Sequence, residues 1–181
     1  MLYRRVTEAD YPGILSLQEA NLFDNLPPAD RDSGFLSARF SREQFARMDA
    51  DVGVLVAADA AHIAGYLCAS GIEFNRQFPI LAAMIERFGE TKFQERLLTE
   101  RRILIYGPVC VARAYRGRGV LRGLYEALQR EAAVRFDSGA AFVAQDNARS
   151  LAAHIDGLGM SNVGEFVFKD KRYCILAFAV A

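Results

Sequence analysis

The sequence lacks tryptophan, has three cysteines among 181 residues, and carries no net charge because 22 basic residues balance 22 acidic ones. Cys68, Cys110 and Cys174 are far apart and lie in apolar, strand-like runs, which predicts buried free thiols rather than disulfides or a metal site. Balanced charge gives no global attraction to nucleic acid or membrane surfaces. No apolar run is long enough to span a bilayer. We therefore expect a soluble cytoplasmic protein that does not bind nucleic acid or membranes.

Apolar periodicity predicts one α/β domain over residues 1–181. Helices are expected to begin near Thr7, Ser41, Val120 and Asn147. A loop is expected over residues 23–34, and an insert over residues 71–102 combines helical segments at 78–90 and 91–101. Strands are expected at residues 1–7, 52–59, 62–70, 101–111, 140–145, 163–168 and 173–180.

Arginine and glycine are concentrated between Arg116 and Gly123, where eight residues contain three of each. The run follows a predicted strand that ends at Val111 and leads into the helix that begins near Val120. Glycines leave backbone N–H groups accessible, and a helix N-terminus adds partial positive charge. The pattern indicates a cradle for a phosphate or pyrophosphate. The simpler alternative is a glycine-rich turn with solvated arginines.

A dinucleotide site competes with this interpretation. Gly117, Gly119 and Gly123 fit the spacing GxGxxxG, and Asp146 ends the next strand at a distance suited to a ribose contact. This pattern would make the chain an NAD(P)-dependent oxidoreductase. Against it, only one clear βαβ unit is present, a hairpin precedes the motif, and too few residues follow Asp146 for the second half of such a sheet.

The segment VCVARAYRGRGVLRGLYEAL resembles the acetyl-CoA-binding motif of the GNAT superfamily of N-acyltransferases, Arg/Gln-x-x-Gly-x-Gly/Ala after a strand. Arg116 and Gly119 match this motif, whereas Leu121 stands where the family has glycine or alanine. Downstream, NARSLAAHIDGLGM resembles the family's second conserved segment through Asn147 and the pair Gly159 and Met160.

The resemblance implies a single-domain fold with a mixed, mostly antiparallel central sheet of about seven strands and helices on both faces. The family's fourth and fifth strands splay apart, here residues 101–111 and 140–145, and the proline of Gly107-Pro108 would mark a bulge. Acetyl-CoA would be the acyl donor. The cofactor-binding residues implied by the family are Val109, Val111, Arg116, Gly117, Arg118, Gly119, Val120, Leu121, Asn147 and Ser150.

The resemblance also implies direct acetyl transfer to the primary amine of a small molecule or peptide. His154 lies where the family commonly has a tyrosine and is the candidate acid. A histidine could also act as a base through water, or be merely structural. Asp146 and Glu73 are candidate bases that would act through water, and each is otherwise a surface carboxylate. No metal is implied. Aromatic residues in the 71–102 insert indicate a lid, a homodimer contact or a local core. A non-catalytic acyl-CoA sensor is a further alternative.

Overall fold

The computed structural model describes residues 1–27, 35–60 and 62–181, so most of the predicted 23–34 loop lies outside the described residues. Contacts divide the chain into two compact units. The first unit comprises Met1–Ala69 and Gly107–Glu131, and the second comprises Ser70–Tyr106 and Ala132–Ala181. Within the described ranges, no helix has the length and apolar character needed to cross a membrane.

The elements follow the order predicted from the sequence. In chain order they are β1 (Leu2–Arg5), α1 (Tyr11–Glu19), α2 (Arg42–Asp51), β2 (Gly53–Asp59), β3 (His62–Ser70), α3 (Ile72–Asn75), α4 (Pro79–Glu86), β4 (Lys92–Phe93), β5 (Arg96–Leu97), β6 (Ile103–Val111), α5 (Val120–Ala132), β7 (Ser138–Ala144), α6 (Ala148–Leu158), β8 (Ser161–Phe168) and β9 (Lys171–Ala179).

Seven strands form one sheet in the order β1-β2-β3-β6-β7-β9-β8. The β1–β2, β2–β3, β7–β9 and β8–β9 ladders are antiparallel, and β6–β7 is parallel. The prediction of a mostly antiparallel sheet of seven strands is confirmed. The β6–β7 ladder runs from Ile103 to Ile105, all within the second unit, and so ends before Gly107. The two strands therefore stop pairing before Gly107-Pro108, whose peptide bond is cis, and a bulge at this proline remains a prediction.

In the first unit, α5 packs closely on the sheet because glycine occupies the contact point. A Cβ at Gly65 of β3 would lie 3.3 Å from side-chain carbons of Val120 and Leu124 and 2.9 Å from the carbonyl oxygen of Cys110. Val120, Leu124 and Leu128 are buried, as the helical periodicity predicts. This packing fixes where α5 begins.

Ser41 caps α2, as the sequence predicts. Its hydroxyl accepts from the N–H of Gln44 at 3.3 Å, while the Gln44 side chain accepts from the Ser41 N–H at 2.8 Å. Ser41 and Gln44 thus form a reciprocal capping pair.

In the second unit, residues 91–101 were predicted to be helical, and this prediction is wrong. Residues 92–97 form the β4–β5 hairpin, whose turn residues Gln94 and Glu95 have φ values of 46° and 63°. One 3₁₀ turn follows at Leu98–Glu100. Phe93 is 7% exposed, and the Arg101 guanidinium lies 5.0 Å from the centre of its ring. Packing of Phe93 and Leu98 into the core therefore overrides the helical propensity of this charged segment.

The remaining part of the insert also packs within its own unit. Met84, Ile85 and Phe88 belong to one buried cluster with apolar residues of β6, β7, β8 and β9, while Phe74 and Phe78 pack ring to ring at 5.6 Å. The local-core interpretation accounts for Met84, Phe88 and Phe93. A lid or dimer contact remains a prediction.

Candidate functional site

The loop between β6 and α5 has the backbone that the glycine run predicts. Gly117 and Gly119 have φ values of 73° and 79°, a region that favours glycine, and a Cβ at either position would meet no atom within 4 Å. Gly117, Arg118 and Gly119 are exposed. The loop therefore presents bare backbone to solvent.

Helix α5 begins directly after this loop. The Gly123 N–H donates to the Gly119 carbonyl at 3.0 Å and closes the first helical turn. The N–H groups of Val120, Leu121 and Arg122 precede this bond, so they have no carbonyl of the helix as acceptor. Together with the helix dipole, these groups fit an anionic ligand.

Arg116 holds the loop from one side. Its Nε donates to the carbonyl oxygen of Val111 at 3.0 Å, and its Nη2 donates to the side-chain oxygen of Asn21 at 2.7 Å. Asn21 lies just beyond α1 and is buried. No sequence pattern links residues 21 and 116, which are separated by 95 positions.

Tyr115 holds the loop from another side. Its hydroxyl donates to Asp59 Oδ2, at the end of β2, at 2.9 Å. This bond raises the pKa of Tyr115, because the neutral phenol is the donor to a carboxylate. With Arg116, it fixes the segment that leads into the glycines. No sequence pattern indicated that Asn21, Asp59 and Tyr115 contribute to the loop.

Gly123, assigned to the dinucleotide alternative, has a packing role. A Cβ at this position would lie 2.1 Å from the Cζ atom of the Tyr3 ring, so glycine lets β1 approach α5. In addition, the β6–β7 pairing is parallel, but the β1–β2, β2–β3, β7–β9 and β8–β9 pairings are antiparallel. A dinucleotide fold needs a series of parallel strands. The sheet therefore does not provide the framework of that alternative.

The end of β6 contains Val109 and Val111, both half-buried. The Val111 carbonyl is occupied by Arg116, and the following residue, Ala112, donates its N–H to the Ala64 carbonyl of β3 at 2.9 Å. This strand end is thus fixed to β3 and to the loop. The assignment of Val109 and Val111 to a pantetheine arm remains a prediction.

In the second unit, His154 is a buried, neutral imidazole. Its Nδ1 lies 2.7 Å from the Ser150 carbonyl oxygen, which can only accept, so Nδ1 carries the proton. Burial lowers the pKa of His154, and the bond to Ser150 opposes this effect. Its ring meets the Tyr106 ring edge-on at 5.5 Å. Nε2 is consequently a hydrogen-bond acceptor at neutral pH, which suits a base better than the predicted acid.

Asn147 and Ser150 open α6. The Asn147 side chain accepts from the Ser150 N–H at 3.2 Å, a helix N-cap. At the other end, Gly159 has a φ of 76°, and the N–H of Met160 donates to the His154 carbonyl at 3.0 Å. The residues that resemble the family's second segment thus begin and end a helix. Cofactor contacts by Asn147 and Ser150 remain predictions.

The two candidate carboxylates are surface groups. Asp146 pairs with Lys171 at 3.0 Å, and its side chain is 62% exposed. Glu73 pairs with Arg76 at 3.2 Å, and its side chain is 88% exposed. Both carboxylates are therefore largely exposed to solvent and paired with a neighbouring cation. Their roles as bases remain predictions.

The three cysteines are free and buried, as predicted. Burial raises the pKa of Cys110 to about 12 and also raises the pKa of Cys68. Both thiols are therefore protonated at neutral pH and are not nucleophiles. Over the described residues, no group of three or more His, Cys, Asp or Glu side chains is arranged to hold a metal ion.

No protein-family model and no curated protein matches this sequence. Solved structures do match in fold, and the following three cover nearly all of the chain. The Streptococcus mutans protein smu.2055 shares 16% identity, with a TM-score of 0.68 and 100% of both chains covered. A ribosomal-protein-alanine N-acetyltransferase from Brucella melitensis shares 19%, with a TM-score of 0.60 and 99% of both chains covered. A GNAT superfamily phosphinothricin acetyltransferase from Sinorhizobium meliloti, in complex with acetyl-CoA, shares 15%, with a TM-score of 0.62 and 99% of this chain and 88% of that chain covered.

Proposed function

From its GNAT acetyltransferase fold, we propose that this chain is an N-acetyltransferase that uses acetyl-CoA and a primary amine. The observation that carries the proposal is the β6–α5 loop. Gly117 and Gly119 expose backbone at positive φ directly before the N-terminus of α5. This is an arrangement that binds a diphosphate group through N–H donors rather than through charged side chains.

The loop is held before any ligand arrives. Arg116 and Tyr115 tie it to Asn21, Val111 and Asp59, so little backbone ordering is left for the binding step. In the proposal, the N–H groups of residues 117–121 receive the pyrophosphate, and the exposed Arg118 adds positive charge beside it. Leu121, in place of glycine or alanine, keeps its N–H and its helical position.

Acetyl-CoA supplies an activated thioester, so the protein has to orient the acceptor amine and remove its proton. We assign the proton acceptor to His154. Its neutral state and its Nδ1–H bond to Ser150 leave the Nε2 lone pair for an amine or for an intervening water. A polarising backbone donor near Val111, which the resemblance implies, remains a prediction.

The acceptor is an amine of a small molecule or peptide. Of the fold neighbours named above, one is named for ribosomal-protein alanine and one for phosphinothricin, so the fold accommodates both kinds of acceptor. We propose that the protein is a soluble cytoplasmic enzyme. We also propose that it forms a homodimer through contacts of the 71–102 insert.

The test is isothermal titration of the purified protein with acetyl-CoA, CoA and NADPH, followed by an amine screen that detects thiol release. We expect micromolar binding of acetyl-CoA and CoA and none of NADPH. Binding of NADPH alone would overturn the proposal in favour of an oxidoreductase. Binding of acetyl-CoA without turnover across amines and peptides would favour a sensor.

A further inference from the structure

The buried side chain of Asn21 lies at the start of the hydrogen-bond path that shapes the β6–α5 loop. We propose that Asn21 is a positioning residue for this loop. It fixes Arg116, and Arg116 fixes the backbone that presents the N–H groups of Gly117 and Gly119. The predicted effect of Asn21 on acetyl-CoA binding rests on the proposed function. The predicted effect of Asn21 on the shape of the loop does not.

Each polar group of Asn21 has a defined partner. Its backbone N–H donates to Gln18 O at 3.0 Å, and its carbonyl accepts from the N–H of Leu36 at 2.9 Å. Its Nδ2 donates to Leu17 O at 2.8 Å, and its Oδ1 accepts from Arg116 Nη2 at 2.7 Å. Because Nδ2 faces a carbonyl and Oδ1 faces a guanidinium, the orientation of the amide is determined. The residue is 6% exposed, so water has little access to these hydrogen bonds.

Arg116 connects Asn21 to the loop through its guanidinium group. With one end of its guanidinium on Asn21 and the other on the Val111 carbonyl, it joins the end of α1 to the end of β6. The next residue along the chain is Gly117. Glycines at positive φ lose more conformational freedom on ordering than other residues, so the loop needs an external restraint to stay in one shape.

An amide at position 21 also suits an anion site. Its neutral oxygen holds the Arg116 cation without placing a negative charge beside the loop. A carboxylate would hold the guanidinium equally well but would repel a pyrophosphate at short range. Asn21 therefore holds Arg116 without reducing the positive electrostatic potential at the loop.

The experiment compares Asn21→Ala with Asn25→Ala. Asn25 is the control, because its Nδ2 donates to the Glu19 carbonyl at the same end of α1 at 2.8 Å. We expect Asn21→Ala to weaken acetyl-CoA binding about tenfold, the effect of losing a hydrogen bond to a charged group. Asn25→Ala is expected to stay within about twofold of wild type.

A double-mutant cycle then tests the path through Arg116. Asn21→Ala in an Arg116→Met background is expected to change the acetyl-CoA affinity by less than about twofold, because the shared interaction is already absent. If the losses of acetyl-CoA affinity in the two single variants add fully in the double variant, Asn21 does not act through Arg116. Equal losses of thermal stability in Asn21→Ala and Asn25→Ala, with affinity unchanged in both, would show a merely structural role.

Backbone ¹⁵N relaxation of Gly117 and Gly119 without ligand separates this inference from the proposed function. Lower order parameters in Asn21→Ala, but not in Asn25→Ala, support the restraint whatever the ligand. Unchanged order parameters overturn it. If the wild type does not bind acetyl-CoA, the proposed function and the predicted loss of affinity are both wrong. The relaxation measurement still tests whether Asn21 restrains the loop. If Asn21→Ala does not fold, the same relaxation measurement is made on Arg116→Met.

Discussion

Nδ1 of His154 donates its proton to the carbonyl oxygen of Ser150, one helical turn earlier in α6, across 2.7 Å. This bond fixes both the tautomer and the ring plane, and burial lowers the pKa of the imidazole below its ordinary value of 6.5. The basic form is thus the stable one at neutral pH. A single backbone contact determines what chemistry this side chain offers.

The first prediction concerns the pH dependence of catalysis. If His154 is the base, kcat/KM for acetyl transfer to the best amine of the screen falls as pH drops through an apparent pKa below 6.5, because protonation fills Nε2. His154→Asn keeps an N–H donor for Ser150 but lacks this base, and we expect kcat to fall about 100-fold with the acidic limb lost.

The exposed histidine provides the control for this prediction. His62→Asn on β3 is expected to leave the pH profile unchanged. A decline on the alkaline side would indicate that His154 acts as an acid. A His154→Asn enzyme with the wild-type rate would show that the imidazole only packs and caps.

The second prediction separates two glycines of the same run. Gly119→Ala places a side chain at a φ of 79°, and we expect about tenfold weaker acetyl-CoA binding by titration. Gly123→Ala drives a methyl group into the Tyr3 ring, and we expect a loss of about 2 kcal/mol in unfolding free energy with affinity nearly unchanged. The reverse pattern, with Gly123 controlling ligand affinity, would restore the dinucleotide interpretation.

The third prediction concerns Asp146, which the oxidoreductase alternative requires. Its ion pair with Lys171 is exposed, and exposed pairs contribute about 0–1 kcal/mol. We expect Asp146→Ala to change acetyl-CoA affinity by less than about twofold and to alter urea unfolding only slightly. A large loss of nucleotide affinity in the same titration would contradict this expectation and would place the carboxylate in the binding site.

The fourth prediction concerns stability in acid. Asp10 accepts hydrogen bonds from Arg4 and from Thr7, and the Arg4 bond is the main cause that lowers its pKa from 3.8 to about 2. A lowered folded-state pKa stabilises the protein above about pH 3.8 and loses that contribution as pH falls toward about 2. The shift corresponds to roughly 2 kcal/mol.

Asp10→Asn is therefore expected to unfold with about 2 kcal/mol less free energy than wild type at pH 7, measured by urea titration. The difference between the two proteins is expected to shrink as the pH is lowered from about 4 to about 2, because wild-type Asp10 becomes protonated. A difference that stays constant over this range would show that packing, not charge, explains the effect. Glu8→Gln is the control, because the Glu8 side chain is 77% exposed and does not contact Asp10's partners Arg4 and Thr7 through any of the bonds named above.

Local patterns in the sequence determined most of the fold. Strand alternation, the caps at Ser41 and Asn147, and the buried face of α5 depend on residues a few positions apart, and each was predicted. Residues 91–101 were mispredicted because their helical composition is local, whereas the burial of Phe93 and Leu98 depends on strands far away in sequence.

For the candidate site, the sequence indicated the glycine loop but not what holds it. Gly117 and Gly119 follow from local conformational preference. Asn21 restrains Arg116 from 95 positions away, and Asp59 restrains Tyr115 from 56 positions away. Sequence periodicity does not reveal contacts over such separations. The protonation state of His154 was likewise beyond reach, because it depends on burial and on one carbonyl.

The contact of the Tyr3 ring with Gly123 has a consequence for how this protein can vary. With a Cβ at position 123 only 2.1 Å from the ring, an aromatic residue at position 3 and any side chain at position 123 exclude each other. Homologous chains that carry alanine or serine at position 123 should therefore carry a smaller residue at position 3. The two positions should co-vary, although 119 residues separate them in the chain.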